Sequence, residues 1–189
     1  MLTDWITHYQ QATVIQAQTT YLRVAVAPTN AHFRLDFRAK KEWRLKPGAQ
    51  GTLAHCTTHP LLLDHNEPAV QLFLTSRPQD PAVLFAAITQ CVGALSQGWR
   101  DLPHYLFRWN RFRALETVQQ NLREGSGVLL YYAPASIAKA VIEICQQQGV
   151  TTKHMGNPDG VVARPATPSS VVLIGSSYVI AEHFSVRAL

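Results

Sequence analysis

The run AHCTTHPLLLDH, residues 54–65, is the most suggestive cluster for a metal, with His55, Cys56, His59, Asp64 and His65 close together. Imidazole, thiolate and carboxylate are the groups zinc takes, and two histidines four residues apart reach one ion when they sit on a helix. Pro60 argues against that helix, because the residue before a proline is pushed out of the α region. Laid out as a strand, His55 and His59 share a face but stand roughly 13 Å apart at the strand rise. The expectation is therefore no metal and no cofactor. Cys56 is also a poor partner for His55 as a nucleophile, since adjacent strand residues point to opposite faces.

Two further stretches invite a phosphate or acyl-transfer reading. GSGVLL at 125–130 has glycines, but they follow a helical pattern and open a strand, the reverse of a phosphate loop, and no GK[ST] is present. Ser176, Ser177, Glu182 and His183 supply the residue types of a triad, yet all sit in one extended run without a GxSxG elbow. A better small-anion site is Tyr131–Ser136, where a strand runs into a helix. Its free N–H groups and the Ser136 hydroxyl would hold a carboxylate or phosphate, with Tyr131 or Tyr132 as a wall. Tyr132 and Ser136 are the ligand-binding candidates.

Rings and cations come together in DLPHYLFRWNRFR, residues 101–113. Single-stranded nucleic acid is held by exposed rings beside cations. Wound as a helix, Leu102, Tyr105, Leu106, Trp109 and Phe112 form one apolar stripe, whereas Arg108 and Arg111 occupy another side. That separation favours a stripe covered by the protein's own core or by another chain. Arg108, Trp109, Arg111 and Phe112 are the interaction candidates, as aromatic anchors with arginine are what interfaces select. A second basic element is the strand face Arg34, Arg38 and Lys40, joined by Lys41, Arg44 and Lys46.

The elements that must position these groups follow from periodicity. Thr3 can cap a helix over Asp4–Gln18, with Trp5, Ile6, Tyr9 and Ala12 on one face. Tyr21–Ala27 and His32–Lys40 alternate as strands around a Pro28-Thr29-Asn30 turn, with Phe33, Leu35, Phe37 and Ala39 on one face. Trp43–Lys46, Thr52–Leu63 and Val70–Ser76 read as further strands. Asp80-Pro81 opens a helix that Gly98 stops. A second helix is expected over Leu102–Arg123 and a third over Ser136–Gln148. Val128–Ala133, Val150–Met155, Val161–Arg164 and Val171–Phe184 read as strands. Val83, Leu84, Ile88, Val92, Leu95, Leu106, Leu129, Ile137, Val141, Ile144, Val172 and Ile174 are the expected core.

The 189 residues suit one domain, and 47% apolar content is enough for a core. Charged residues reach only 15%, below the roughly 25% of a typical soluble domain, which leaves room for a partner-covered patch. A net charge of +5 permits anionic partners without requiring them. Cys56, Cys91 and Cys145 lie in apolar runs without CxxC spacing, which suits free thiols in a reducing compartment. No apolar window is long enough to span a membrane and no secretory leader is evident, so a cytoplasmic chain is expected. The order of elements predicts a single α+β domain over 1–189: a mainly antiparallel sheet packed against about three helices, with a C-terminal strand–helix–strand unit. The leading functional expectation is a non-catalytic protein-binding or assembly factor, either self-associating or taking a protein partner. A small-anion enzyme or binder at 131–136 and a nucleic-acid binder at 100–113 are the alternatives.

Overall fold

The alternation read between Tyr21 and Lys40 is the start of a closed barrel. The computed structural model describes Ile6, Tyr9 and residues 11–106, 111–156 and 167–189, with backbone only for Arg111 and Phe112. The α+β class holds, with antiparallel pairing throughout the described ladders. The chain divides into two compact units, one of residues 1–65 with 165–189 and the other of residues 66–164.

The first unit holds strands β1 (Gln11–Ala17), β2 (Tyr21–Ala27), β3 (Ala31–Arg44), β4 (Gln50–Cys56), β8 (Ser170–Ile174) and β9 (Ser177–Ala188). They close in the order β1-β2-β3-β9-β8-β4, and β4 pairs back onto β1. Every second residue fills the interior: Val14, Leu22, Val24, Leu35, Phe37, Leu53, Val172, Ile174 and Val179 are buried there. A barrel of this size is packed with side chains and leaves no channel. Closure bends strands, and two do so at irregularities: β1 between Val14 and Gln16, β3 between Lys40 and Glu42. Ala39, just before the second, has φ +50° and is exposed, so the inward alternation of Phe33, Leu35 and Phe37 ends there. The strand expected separately over Trp43–Lys46 is the continuation of β3.

Closure also demands close backbone approach. A Cβ on Gly51 would lie 2.5 Å from Gly175 Cα, and Gly175 itself turns from β8 into β9 at φ +58°. Gly175 N–H donates to Thr52 O at 3.0 Å, stitching this crossing.

The second unit holds β5 (Ala69–Leu74), β6 (Gly127–Pro134) and β7 (Thr152–Met155) in the order β6-β5-β7, with α1 (Pro81–Leu95), α2 (Arg111–Glu124) and α3 (Ala135–Gln147). Helix α1 packs against α2 and α3, and α3 against β5 and β6. Asp80 caps α1 as its sequence requires: Ala82 N–H and Val83 N–H donate to Oδ1 at 2.9 and 3.1 Å. Leu84, Ile88 and Val92 are fully buried along one face.

Several expectations are corrected. The helix over Asp4–Gln18 is replaced from Gln11 onward by β1, because the barrel needs a sixth strand and Ala12 and Val14 alternate inward. The one antiparallel sheet expected is instead a closed barrel plus a separate three-stranded sheet. The strand over Thr52–Leu63 ends at Cys56, and a 3-10 turn over Pro60–Leu62 follows. The continuous helix from Leu102 is broken: Leu102–Tyr105 form a 3-10 turn, and Leu106 is extended at φ −97°, ψ 174°. Val83 and Leu95 are exposed at 56% and 39%, on the outer side of α1, and Ile144 is half-buried. The other nine expected core residues are buried. Val161–Arg164 and the Asn157–Gly160 turn lie outside the described residues. Among the described residues no helix is long and apolar enough to cross a membrane.

Candidate functional site

Part of the aromatic stripe at 102–112 lies among the described residues. Leu102, Tyr105 and Leu106 are at most 2% exposed. Arg108 and Trp109 lie outside the described residues, as do the side chains of Arg111 and Phe112, which begin α2.

At the strand–helix junction Tyr132 is 55% exposed with φ +54°, and its ring centroid is 4.5 Å from that of Tyr131. Tyr131 and Tyr132 fall where the β5–β6 ladder is interrupted between Val70 and Leu72, so a bulge turns them outward. The anion at the start of α3 is the chain's own. Ser136 N–H donates to Glu67 Oε2 at 2.8 Å, and Ala135 N–H donates to Pro68 O at 3.0 Å.

The histidine run separates into three structural roles. His55 lies edge-on to Phe184 with ring centroids 5.9 Å apart, and its Nε2 is 2.9 Å from Ser170 Oγ. Burial lowers the pKa of His55 and of His59. His59 Nδ1 accepts from Leu61 N–H and caps the 3-10 turn. His65 Nε2 is 3.3 Å from Glu42 Oε2, while the Tyr178 hydroxyl donates to Glu42 Oε1 at 2.5 Å. Among the described residues no three His, Cys, Asp or Glu side chains gather as metal ligands would. Of the triad types, Ser177 is buried and Glu182 is paired with Lys41 Nζ at 2.7 Å. Gly125 and Gly127 follow α2 and open β6, as the helix-stop reading requires.

The most strongly charged arrangement lies on the outer wall of the barrel. On β2, Leu22 and Val24 face in, so Tyr21 and Arg23 face out. On β3, Leu35 and Phe37 face in, so Arg34, Asp36 and Arg38 face out. Register then does what spacing alone could not. Arg23 pairs with Arg34, and Arg34 pairs with Arg187 on β9. The three arginines thus occupy one row of paired positions across three adjacent strands, whose backbones run about 4.8 Å apart. Arg38 pairs with His183 in the same ladder.

Among the described residues one carboxylate serves this row. Asp36 Oδ1 accepts from Arg34 Nε at 2.8 Å and is 2.8 Å from its terminal nitrogen, and Asp36 Oδ2 is 3.5 Å from Arg187 Nε. The Arg34 guanidinium carbon also sits 3.8 Å from the centroid of the Tyr21 ring, which holds the planar group in place. Like charges directly opposite across a ladder are unfavourable, and one carboxylate among three arginines leaves the row net positive. Such a row presents planar forks suited to phosphate or carboxylate oxygens. Arg34 and Arg38 are recognisable from alternation within β3. Arg23 and Arg187 are missed by sequence reasoning, since each is a lone arginine in its own strand and only register assigns it to the row.

Two concave features among the described residues are lined by other residues: one groove of about 440 Å³ runs between α3 and β7 past Lys139, Glu143 and His154, and another of about 330 Å³ lies by Thr13, Pro28 and Gln50. No protein-family model matches the chain, and neither a curated protein nor a solved structure is detectably similar to it.

Proposed function

We propose that the chain is a non-catalytic binding protein whose barrel takes an anionic polymer on the outer face of β2, β3 and β9. The observation that carries this reading is the row Arg23, Arg34 and Arg187 aligned across three strands with Asp36 as its carboxylate. A fold gains nothing from stacking three like charges on one wall, whereas an anionic partner turns the same row into a favourable contact. Arginine, with its fixed fork and weak hydration, is the side chain suited to that contact. Most of the 105–112 stripe lies outside the described residues, and the barrel wall is the described surface that supports a partner, one of anionic chemistry.

The test is binding of heparin and of nucleic acid by the wild-type chain and by the combined variant Arg23→Gln, Arg34→Gln, Arg187→Gln, with circular dichroism to check the fold. Wild-type affinity should fall steeply with salt. The variant should bind at least about tenfold more weakly, with a salt slope smaller by about three, one for each lost contact. Equal affinity and equal salt slope in a folded variant would refute the proposal.

A further inference from the structure

Independently of the barrel wall, we infer that the groove beside β7 takes an extended acidic peptide of a partner protein, added to the three-stranded sheet as a further strand. The groove follows from the topology. β6 and β7 both pair antiparallel with β5, so they run parallel to each other, and α3 is the crossover between them. That helix packs over β5 and β6. The space beside it above β7 is left open, about 440 Å³ in volume, within the roughly 300–1,000 Å³ of recognition pockets. Ile142 and Val150 are its apolar lining, with Lys139 and Glu143 on the helix side and Thr152 and His154 on the strand side.

The edge of β7 identifies what the groove can hold. Among the described residues β7 ends the sheet, with β5 as its neighbour on one side only. Thr75 N–H donates to Thr151 O at 3.0 Å, and Thr151 N–H donates to Ser76 Oγ at 2.8 Å, so Thr151 turns both its backbone groups toward the β5 side. Alternate residues of an antiparallel ladder face the same neighbour. Lys153 and Met155 therefore bond to β5, and the N–H and C=O groups of Thr152 and His154 point away from it. Another extended backbone supplies partners to such groups at matching intervals. A nucleic acid or polysaccharide does not. The side chains of Thr152 and His154 line the groove, so an added strand lays every second side chain into it.

Charge and spacing set the chemistry of those side chains. Val150 N–H donates to Cys145 O at 2.8 Å, which holds the end of α3 beside the start of β7. Lys139 therefore lies toward the His154 end of the groove and Glu143 toward the Thr152 end. The two are about 6 Å apart along the helix, close to the ~6.8 Å that two residues of strand advance. Successive groove-facing side chains thus meet Lys139 first and then Ile142 with Val150, which selects a carboxylate and a branched apolar group two residues apart. Lys153, exposed on the opposite face of β7, adds a second cation for an acidic chain. A second copy of this protein would bring its own lysines to the same edge, like charge against like.

The probes are fluorescein-labelled peptides of about ten residues, one centred on Glu-Thr-Val and one on Val-Thr-Glu, since a strand adds in either direction. Binding to the full chain is read by fluorescence anisotropy, with circular dichroism for the fold. At least one order should bind saturably. Methylating one alternate set of its backbone nitrogens should weaken it at least about tenfold, and methylating the other set should not. Thr152→Pro removes an outward N–H that β5 does not use and should cost a similar factor in a folded chain. Lys139→Glu should weaken the acidic peptide about three- to tenfold and favour one with Lys in place of Glu. The triple arginine variant should bind the peptide as the wild type does, and Thr152→Pro should leave heparin binding unchanged, so this inference and the barrel-wall reading fail separately. No binding of either order, equal loss from both methylated sets, or wild-type affinity in folded Thr152→Pro would each overturn the inference. A wild-type dimer that Thr152→Pro converts to a monomer in sedimentation would overturn it too, and make a second copy the occupant. Should Thr152→Pro not fold, the methylated peptides and Lys139→Glu carry the test, and unchanged affinity in both overturns it.

Discussion

Arg34 and Arg187 stand directly opposite one another across the β3–β9 ladder, and the Asp36 carboxylate contacts both. Asp36 is therefore the restraint on a row that would otherwise repel itself. Asp36→Asn should lower stability in urea by up to about 1 kcal/mol at low ionic strength, as expected for a partly exposed pair. The loss should shrink in salt, because screening weakens the arginine repulsion too. The same variant should bind heparin more tightly. Weaker heparin binding would mean that Asp36 orients the arginines for the ligand more than it neutralises them.

The approach of Gly51 to Gly175 sets a steric limit on the barrel. A methyl group at Gly51 would meet Gly175 Cα at 2.5 Å, backbone that cannot swing aside. Gly51→Ala should destabilise the protein by about 2–3 kcal/mol or more, the scale of overpacking. Gly48→Ala is the control: its φ is +80°, but no atom lies within 4 Å of the new carbon. It should cost only about 1–2 kcal/mol of left-handed strain. Thermal melts of the two variants should separate them clearly.

His55 gives the fold an acid sensitivity. Burial lowers its pKa below the usual value, so the folded chain resists a proton that the unfolded chain accepts. Near neutral pH both states are uncharged at this site and it costs nothing. As pH falls through the ordinary histidine range, the unfolded state gains protons first and stability drops. His59 acts in the same direction. His55→Gln should flatten the fall in urea stability between about pH 7 and pH 5, with the His59 contribution remaining. An unchanged slope would show that the imidazole takes up its proton equally in both states over that range.

Cys145 should be the slowest cysteine to react. It has no exposed surface, and burial pushes its thiol up to about 11. At pH 8 the reactive thiolate is scarce and inaccessible. Iodoacetamide should label Cys145 only after unfolding in urea, with mass spectrometry of peptides as the readout. Cys91 is also raised, by burial first and then by the nearby Glu143 charge, and should react slowly. Because the folded thiol holds its proton more tightly, the Cys145 contribution is intact below about pH 9 and is lost as pH rises toward about 11. The loss is on the order of 2–3 kcal/mol, and Cys145→Ala should remove it.

Local chemistry was legible where neighbours in sequence are neighbours in space. The Asp80-Pro81 start of α1, the turn between β2 and β3, and the outward arginines of β3 all follow from residues within a few positions of each other. The first helix failed for the opposite reason. Residues 11–17 carry no strong strand pattern of their own and become β1 by pairing with β2 and with β4. The aromatic stripe after Asp101 has helical spacing, yet Leu106 turns extended and ends its first turn. Leu102, Tyr105 and Leu106 are buried all the same.

The candidate site divides along the same line. Alternation in the sequence determined which face of β2 and β3 is wet, and hence that Arg34 and Arg38 point outward. Only the tertiary structure decided that the sheet closes and that Arg23 and Arg187 flank Arg34. The physical reason is that side-chain direction is a property of the strand, with a period of two. Register is a property of pairs of strands, and β3 and β9 lie near opposite ends of the chain, where no local pattern announces the partner.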